Sequence, residues 1–152
     1  MQELLGNEIY EKIREKVFFY VTYQKRTEAE VRRTFLPVFE KHNISKELCD
    51  DLIEELKEKG YIDDKEFIKR KFGSYMNFKI SSIKEIEYKI LQKGVSKNLI
   101  NDYLAENKEK IYEHEYSAAK KLYEKKIADK SDEEVKRYLR RKGFLEDIIN
   151  QL

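Results

Sequence analysis

Two histidines, one cysteine and a few carboxylate pairs are the residues of this chain best suited to move a proton or attack an electrophile. Their spacing assembles no familiar catalytic set. His42 and His114 lie far apart, and neither a His-Glu-x-x-His stretch nor a Cys/His pattern of zinc-site spacing is present. His42 precedes Asn43 at an expected helix end, where an imidazole meets the negative pole of the helix dipole. His114, in "YEHEY", reads as a solvated or half-buried helix side chain. Cys49 falls on the apolar stripe of "LCDDLIEEL" with no basic neighbour, which suits core packing better than a nucleophile. The carboxylates of "LIEEL" and "SDEE" read as solvated helix faces, since nothing around them signals the burial that acid–base work needs. No glycine-rich phosphate loop occurs. The reading is a non-enzyme with no catalytic residue, no metal, no cofactor and no small-molecule substrate.

The basic residues are better grouped. "KEFIKRKFGSYMNFK" sets Lys69, Arg70, Lys71 and Lys79 among Phe72, Tyr75 and Phe78. "AAKKLYEKK" carries Lys120, Lys121, Lys125 and Lys126 in two adjacent rows of one helix, and "VKRYLRRKG" carries Lys136, Arg137, Arg140, Arg141 and Lys142. Lys plus Arg (32) nearly cancels Asp plus Glu (30), so the net charge of +2 proves no polyanion partner. The excess is local: the first sixty residues are slightly acidic and the remainder basic. A positive strip can face phosphates, an acidic protein surface or both; the plainer alternative is a set of solvated helix faces. Lys69, Arg70, Lys71, Lys79, Lys120, Lys121, Lys125, Arg137, Arg140, Arg141 and Lys142 are the candidate binding residues. The aromatics beside them read as core in preference to base-stacking platforms.

Helices must position these groups. One proline and five glycines leave few of the breaks that hairpins require. Ile9, Ile13, Val17 and Tyr20 recur at helical spacing, and Leu48, Cys49, Leu52, Ile53 and Leu56 form a stripe opposite carboxylates. Breaks fall at Thr27, Ser45, Gly60–Asp63, Ser81–Ser82, Gly94–Ser96, Asn107, Ser131 and Gly143, most of them N-cap residues or glycines of the kind that end helices. This predicts about nine short helices and an all-α fold. Pro37 is expected to kink or end its helix near Leu36, for want of an N–H and because of its ring.

The pattern repeats. "ILQKGVSKNLI" (90–100) and "LRRKGFLEDII" (139–149) place apolar residues alike and bring Gly94 onto Gly143. The match extends back to Ser82, Ile86 and Ser131, Val135 at one constant offset. "TEAEV" (27–31) and "ISKELCDDL" (44–52) form a third copy, in which Asn43, the next best left-handed residue, stands for the glycine. The expected organisation is a tandem array of three three-helix repeats, 1–60, 61–107 and 108–152, built of helix-turn-helix-like units. Leading helices are expected near 8–24, 63–78 and 109–128. Stacked units of this kind share a continuous core, giving an elongated, curved body on the order of 50–60 Å long at two helix spacings per repeat.

Composition fits a folded, water-exposed chain: 41 % charged and 40 % apolar, with the apolar residues regularly spaced. A single cysteine forbids an internal disulfide and suits a reducing compartment. No signal-like or membrane-spanning apolar run is seen, so the expected location is the cytoplasm, with no membrane partner.

"GYIDD" with Phe67, followed by a basic helix and then "IKEIEYKILQKGV" (83–95), resembles the RecX family of bacterial regulators. Gly60, Tyr61, Ile62, Asp63, Asp64 and Phe67 match the first half of that family's signature; Ile83, Glu87, Lys93, Gly94 and Val95 match the second. The likeness covers about residues 8–152. It departs at "NFKISS", where family members commonly carry a glycine- and proline-containing turn, so a serine cap is expected there. What the resemblance implies is an all-α repeat protein that binds the RecA recombinase filament and restrains its recombination and ATPase activities, within DNA repair, homologous recombination and the SOS response. Single- or double-stranded DNA is a further possible partner, and a stand-alone DNA-binding helical module is the alternative function.

Overall fold

The computed structural model describes residues 2–152, and among these the chain is helical with no strand. In order the helices are α1 (Gln2–Tyr23), α2 (Glu28–Lys41), α3 (Lys46–Glu58), α4 (Asp64–Phe78), α5 (Ile83–Leu91), α6 (Lys97–Glu106), α7 (Lys108–Lys126), α8 (Asp132–Arg141) and α9 (Glu146–Ile149). Their punctuation is local chemistry. Thr27, Ser45, Ser82, Ser96 and Ser131 each sit in extended backbone before a helix and accept a hydrogen bond from an N–H of its first turn. Thr27 with Glu30, and Ser82 with Glu85, close reciprocal capping boxes. Gly60, Gly94 and Gly143 take positive φ at helix exits, and Asn43 does the same at φ 55°.

The chain gathers into two compact units. The first runs through Phe67 and takes in the turn Lys93–Val95. Its core is three stripes at helical spacing: Ile13, Val17 and Val21 of α1, Val31, Phe35 and Phe39 of α2, and Cys49, Leu52, Ile53 and Leu56 of α3, with Ile62 beside them. Arg14 grips Glu55 with both terminal nitrogens, and the pairing pulls the Glu55 carboxyl down to about 2. Pro37 does not end α2 at Leu36. The helix continues to Lys41 because Phe35 and Phe39, flanking the exposed proline, are both buried in this core. Their burial outweighs the lost backbone bond.

The second unit comprises Ile68–Gln92 and Ser96–Leu152. Ala118 and Ala119 of α7, Val135 and Leu139 of α8, and Phe144, Ile148 and Ile149 form one of its cores. Phe72 and Tyr103 stack with ring centres 4.7 Å apart.

One joint is built twice. In the first unit the buried Thr27 hydroxyl donates to the Lys93 carbonyl at 2.6 Å, while Asp64 Oδ1 accepts the Glu28 N–H of α2 at 3.0 Å. In the second, Ser82 donates to the Lys142 carbonyl at 2.5 Å, and the Glu115 carboxylate lies near the Ile83 N–H of α5. Each carbonyl precedes a positive-φ glycine that lies against the start of the capped helix: Gly94 on Ala29, and Gly143 on Lys84. In both units a hydroxyl thus ties a helix N-terminus to a distant turn, while a carboxylate from another helix lies at the same N-terminus.

Candidate partner and nucleic-acid interface

The α8 sequence "DEEVKRYLRR" follows its own dipole, acidic in the first turn and basic in the last. Val135 and Leu139 are buried, and at about 100° per residue Arg137, Arg140 and Arg141 point away from them. The three arginines differ in surroundings. Arg140 is engaged within the fold: its Nε reaches both oxygens of Glu146 at 3.0 and 3.1 Å, and Nη2 adds a third bond at 3.0 Å. This pairing raises the guanidinium and lowers the Glu146 carboxyl relative to their ordinary values. Arg137 and Arg141 are exposed. Lys142 lies 3.7 Å from Glu85 and over the Tyr138 ring, which Lys126 also approaches, at 4.2 Å.

On α7, Lys120, Lys121 and Lys125 are exposed, whereas Ala118 and Ala119 are buried. On α4, Lys69 and Arg70 are exposed and Lys71 is half-buried; Arg70 and Lys71 both have interaction partners in the fold. The structure therefore divides the candidate cations. Arg140 and Lys142 are held by carboxylates, whereas Arg137, Arg141, Lys69, Lys79, Lys120, Lys121 and Lys125 project from the surface.

Lys79 and Lys121 come together around a cleft of about 220 Å³ in the second unit. One wall is the end of α4 and the segment after it, Met76 to Ile80; the other is α7, where His114, Ser117, Ala118 and Lys121 are spaced i, i+3, i+4, i+7 along one face. His114 Nε2 lies 2.9 Å from the Ser81 carbonyl, which ties the two walls. Phe78 and Ile80 stand out at 80 % and 51 % exposure, so Phe78 is no core residue, contrary to the sequence reading of these aromatics. Phe72 is core, as expected, and Tyr75 is half-buried with Lys89 over its ring.

Beside His114, Glu115 is buried at 3 % exposure. Its carboxylate lies near the backbone N–H groups of Ile83 and Leu145, and Oε1 has no hydrogen-bond partner. Burial pushes this carboxyl up to about 7. Sequence reasoning missed it, since its neighbours in the chain are polar. Cys49 is buried in the first unit, and burial raises its thiol. His42 caps the end of α2, its N–H on the Val38 and Phe39 carbonyls. Among the described residues no group of His, Cys, Asp and Glu is placed to hold a metal ion, and no helix is long and apolar enough to cross a membrane.

These features define a class: an all-α protein of short, capped helices that carries its unpaired cations on exposed helix faces. Its relatives are more particular, for the chain is a homologue of proteins named Regulatory protein RecX. It is 28 % identical over 135 residues to that of Staphylococcus carnosus, covering 87 % of this chain and 49 % of the relative. The Geobacillus protein of the same name is 25 % identical, over 99 % of this chain and 56 % of its own, and that of Bacillus cytotoxicus is 27 % identical, over 96 % and 54 %. This chain spans about half the length of the curated relatives it matches. The crystal structure of RecX from Lactobacillus salivarius superposes with a TM-score of 0.78 at 25 % identity, covering 95 % of this chain and 94 % of that one. A second crystal structure, of a regulatory protein RecX, shares the fold at a TM-score of 0.77 and 19 % identity, over 99 % and 75 %. No protein-family model matches the chain. The likeness read from "GYIDD" and "IKEIEYKILQKGV" and the expected all-α class both hold.

Proposed function

We propose that this chain binds the RecA recombinase on single-stranded DNA and modulates it, mainly by inhibition of recombination and ATP turnover, in the bacterial cytoplasm. The observation that carries this reading is its homology, over nearly its whole length, to proteins named Regulatory protein RecX. The exposed cations Lys120, Lys121, Lys125, Arg137 and Arg141 supply a surface for an acidic protein face or for phosphates. The mechanism needs no chemistry of its own: a body of three three-helix repeats, 1–60, 61–107 and 108–152, lies across neighbouring protomers of the filament and obstructs their rearrangement. The recurrence of hydroxyl caps at Thr27, Ser82 and Ser131, and of left-handed residues at Asn43, Gly94 and Gly143, supports that division.

The test is RecA ATPase and strand exchange on single-stranded DNA with increasing amounts of this protein. Both activities are expected to fall, and less so with Arg137→Glu/Arg141→Glu, which leaves the Arg140–Glu146 pair intact. Unchanged activities at saturating protein refute the proposal.

A further inference from the structure

The cleft between the end of α4 and α7 joins groups that nothing in the cores or ion pairs explains. Phe78 keeps 80 % of its surface in water although it ends a helix whose earlier Phe67 and Phe72 are buried. Leaving so large a ring wet forgoes the stabilisation its burial gives, and the other exposed apolar residue of the cleft, Ile80, lies two positions away. With Phe78, the residues lining the cleft include two lysines, Lys79 and Lys121, and the polar Ser117 and Asn77. No carboxylate lines it. An aromatic face beside paired cations and neutral hydrogen-bonding groups matches one nucleotide: a flat base, a sugar with hydroxyl or ether oxygens, and a phosphate anion. About 220 Å³ suits the phosphate and sugar, with the base outside on Phe78.

We propose that this cleft is a subsite for one nucleotide of single-stranded nucleic acid, its phosphate between Lys79 and Lys121 and its base stacked on Phe78. Duplex is the poorer fit, because its bases are already stacked on one another and present no free face to the ring. Lys120 and Lys125, on the same helix as Lys121, extend the positive surface along which neighbouring phosphates run. The site shares Lys121 with the cationic surface proposed above, so it is tested without RecA.

The chain contains no tryptophan, which makes Phe78→Trp a unique fluorescent reporter at a solvent-exposed position. Titrating this variant with a twelve-residue oligothymidylate at low salt should quench the indole as a base stacks on it. In a parallel anisotropy titration of the labelled oligonucleotide, Phe78→Ala should weaken binding by roughly five- to hundredfold, the range of one lost base stack. Lys79→Gln/Lys121→Gln should lower the slope of log affinity against log salt by about 0.7, one single-strand phosphate. Far-UV circular dichroism of each variant is expected to match that of the parent. Absence of quenching at oligonucleotide concentrations up to ~1 mM, or equal affinity of Phe78→Ala and parent, overturns the assignment. So does equal quenching by a polyglutamate peptide, which would make the cleft a site for acidic protein segments. Neither result bears on RecA inhibition, which is read in a separate assay.

Discussion

Gly94→Ala puts a number on the joint between α2 and the Lys93–Val95 turn. Gly94 has φ 86°, a conformation that costs an L-residue about 1–2 kcal/mol. A β-carbon added there would stand 2.3 Å from Ala29 Cβ, far inside any real contact, and both atoms sit on backbone that must move to separate them. Forced overpacking of this kind typically costs about 1–3 kcal/mol. The expected total is about 2–5 kcal/mol. Two other glycines serve as internal standards. Gly60, at φ 79°, has nothing within 4 Å of the added carbon, so Gly60→Ala should cost only the conformational 1–2 kcal/mol or so. Gly143, at φ 91°, would meet Lys84 Cβ at 3.0 Å and should fall between. Ala29→Gly removes the clashing atom at a helix cost of about 1 kcal/mol, so the double variant Ala29→Gly/Gly94→Ala should be less destabilised than the sum of the singles. Urea unfolding followed by circular dichroism gives each free energy. The reasoning fails if Gly94→Ala costs no more than Gly60→Ala, or if Ala29→Gly returns nothing.

Four further expectations follow from other contacts. Thr27→Ala removes a helix cap and orphans the Lys93 carbonyl, so it should cost about 2–4 kcal/mol, against about 1 for Ser131→Ala, whose hydroxyl caps an exposed helix start only; equal losses would deny Thr27 its second bond. The Glu115 carboxyl, raised to about 7 from 4.5, binds a proton in the folded chain between those values that the unfolded chain has released. Its contribution is therefore full below pH ~4.5 and lost as pH rises through 7, a fall of about 1–3 kcal/mol that Glu115→Gln should abolish in unfolding measured from pH 5 to 8. Glu55 has the opposite sign: its carboxyl is lowered to about 2 by Arg14, so its stabilisation is present above pH ~4.5 and lost on acidification towards 2, and the stability gap between parent and Arg14→Met should close over that window. Cys49 is buried with a raised thiol, so a thiol reagent should react with it only as the first unit opens, at a rate that rises with urea; prompt labelling of the native protein would contradict its placement.

What could be read from the residues was what their immediate neighbours decide. Thr27, Ser82 and Ser131 announce helix starts because a hydroxyl competes for N–H groups two or three residues on, and Asn43 takes the left-handed turn by the same local sterics as Gly94 and Gly143. The rest depended on partners distant in the chain. Arg140 looked like Arg137 and Arg141 until Glu146 was brought beside it, and Lys142 until Glu85 was. Glu115 lies in a polar stretch, and only the arrival of α5 and the start of α9 buries it. Phe78 follows the buried Phe67 by eleven residues, a spacing compatible with one apolar stripe, yet α4 ends there and leaves the ring outside. Pro37 shows the reverse error, a strong local rule overridden by the burial of Phe35 and Phe39 on either side.

The turn Lys93–Val95 belongs with residues before Phe67, whereas the chain on both sides of it belongs elsewhere. No single cut in the polypeptide can then liberate either half intact. A fragment ending at Phe67 would leave Thr27 without its acceptor and Ala29 without its cover, and a fragment starting at Ile68 would carry an orphaned loop. Shuffling halves between relatives therefore calls for a three-piece graft, with the loop at 93–95 travelling in the company of residues far upstream.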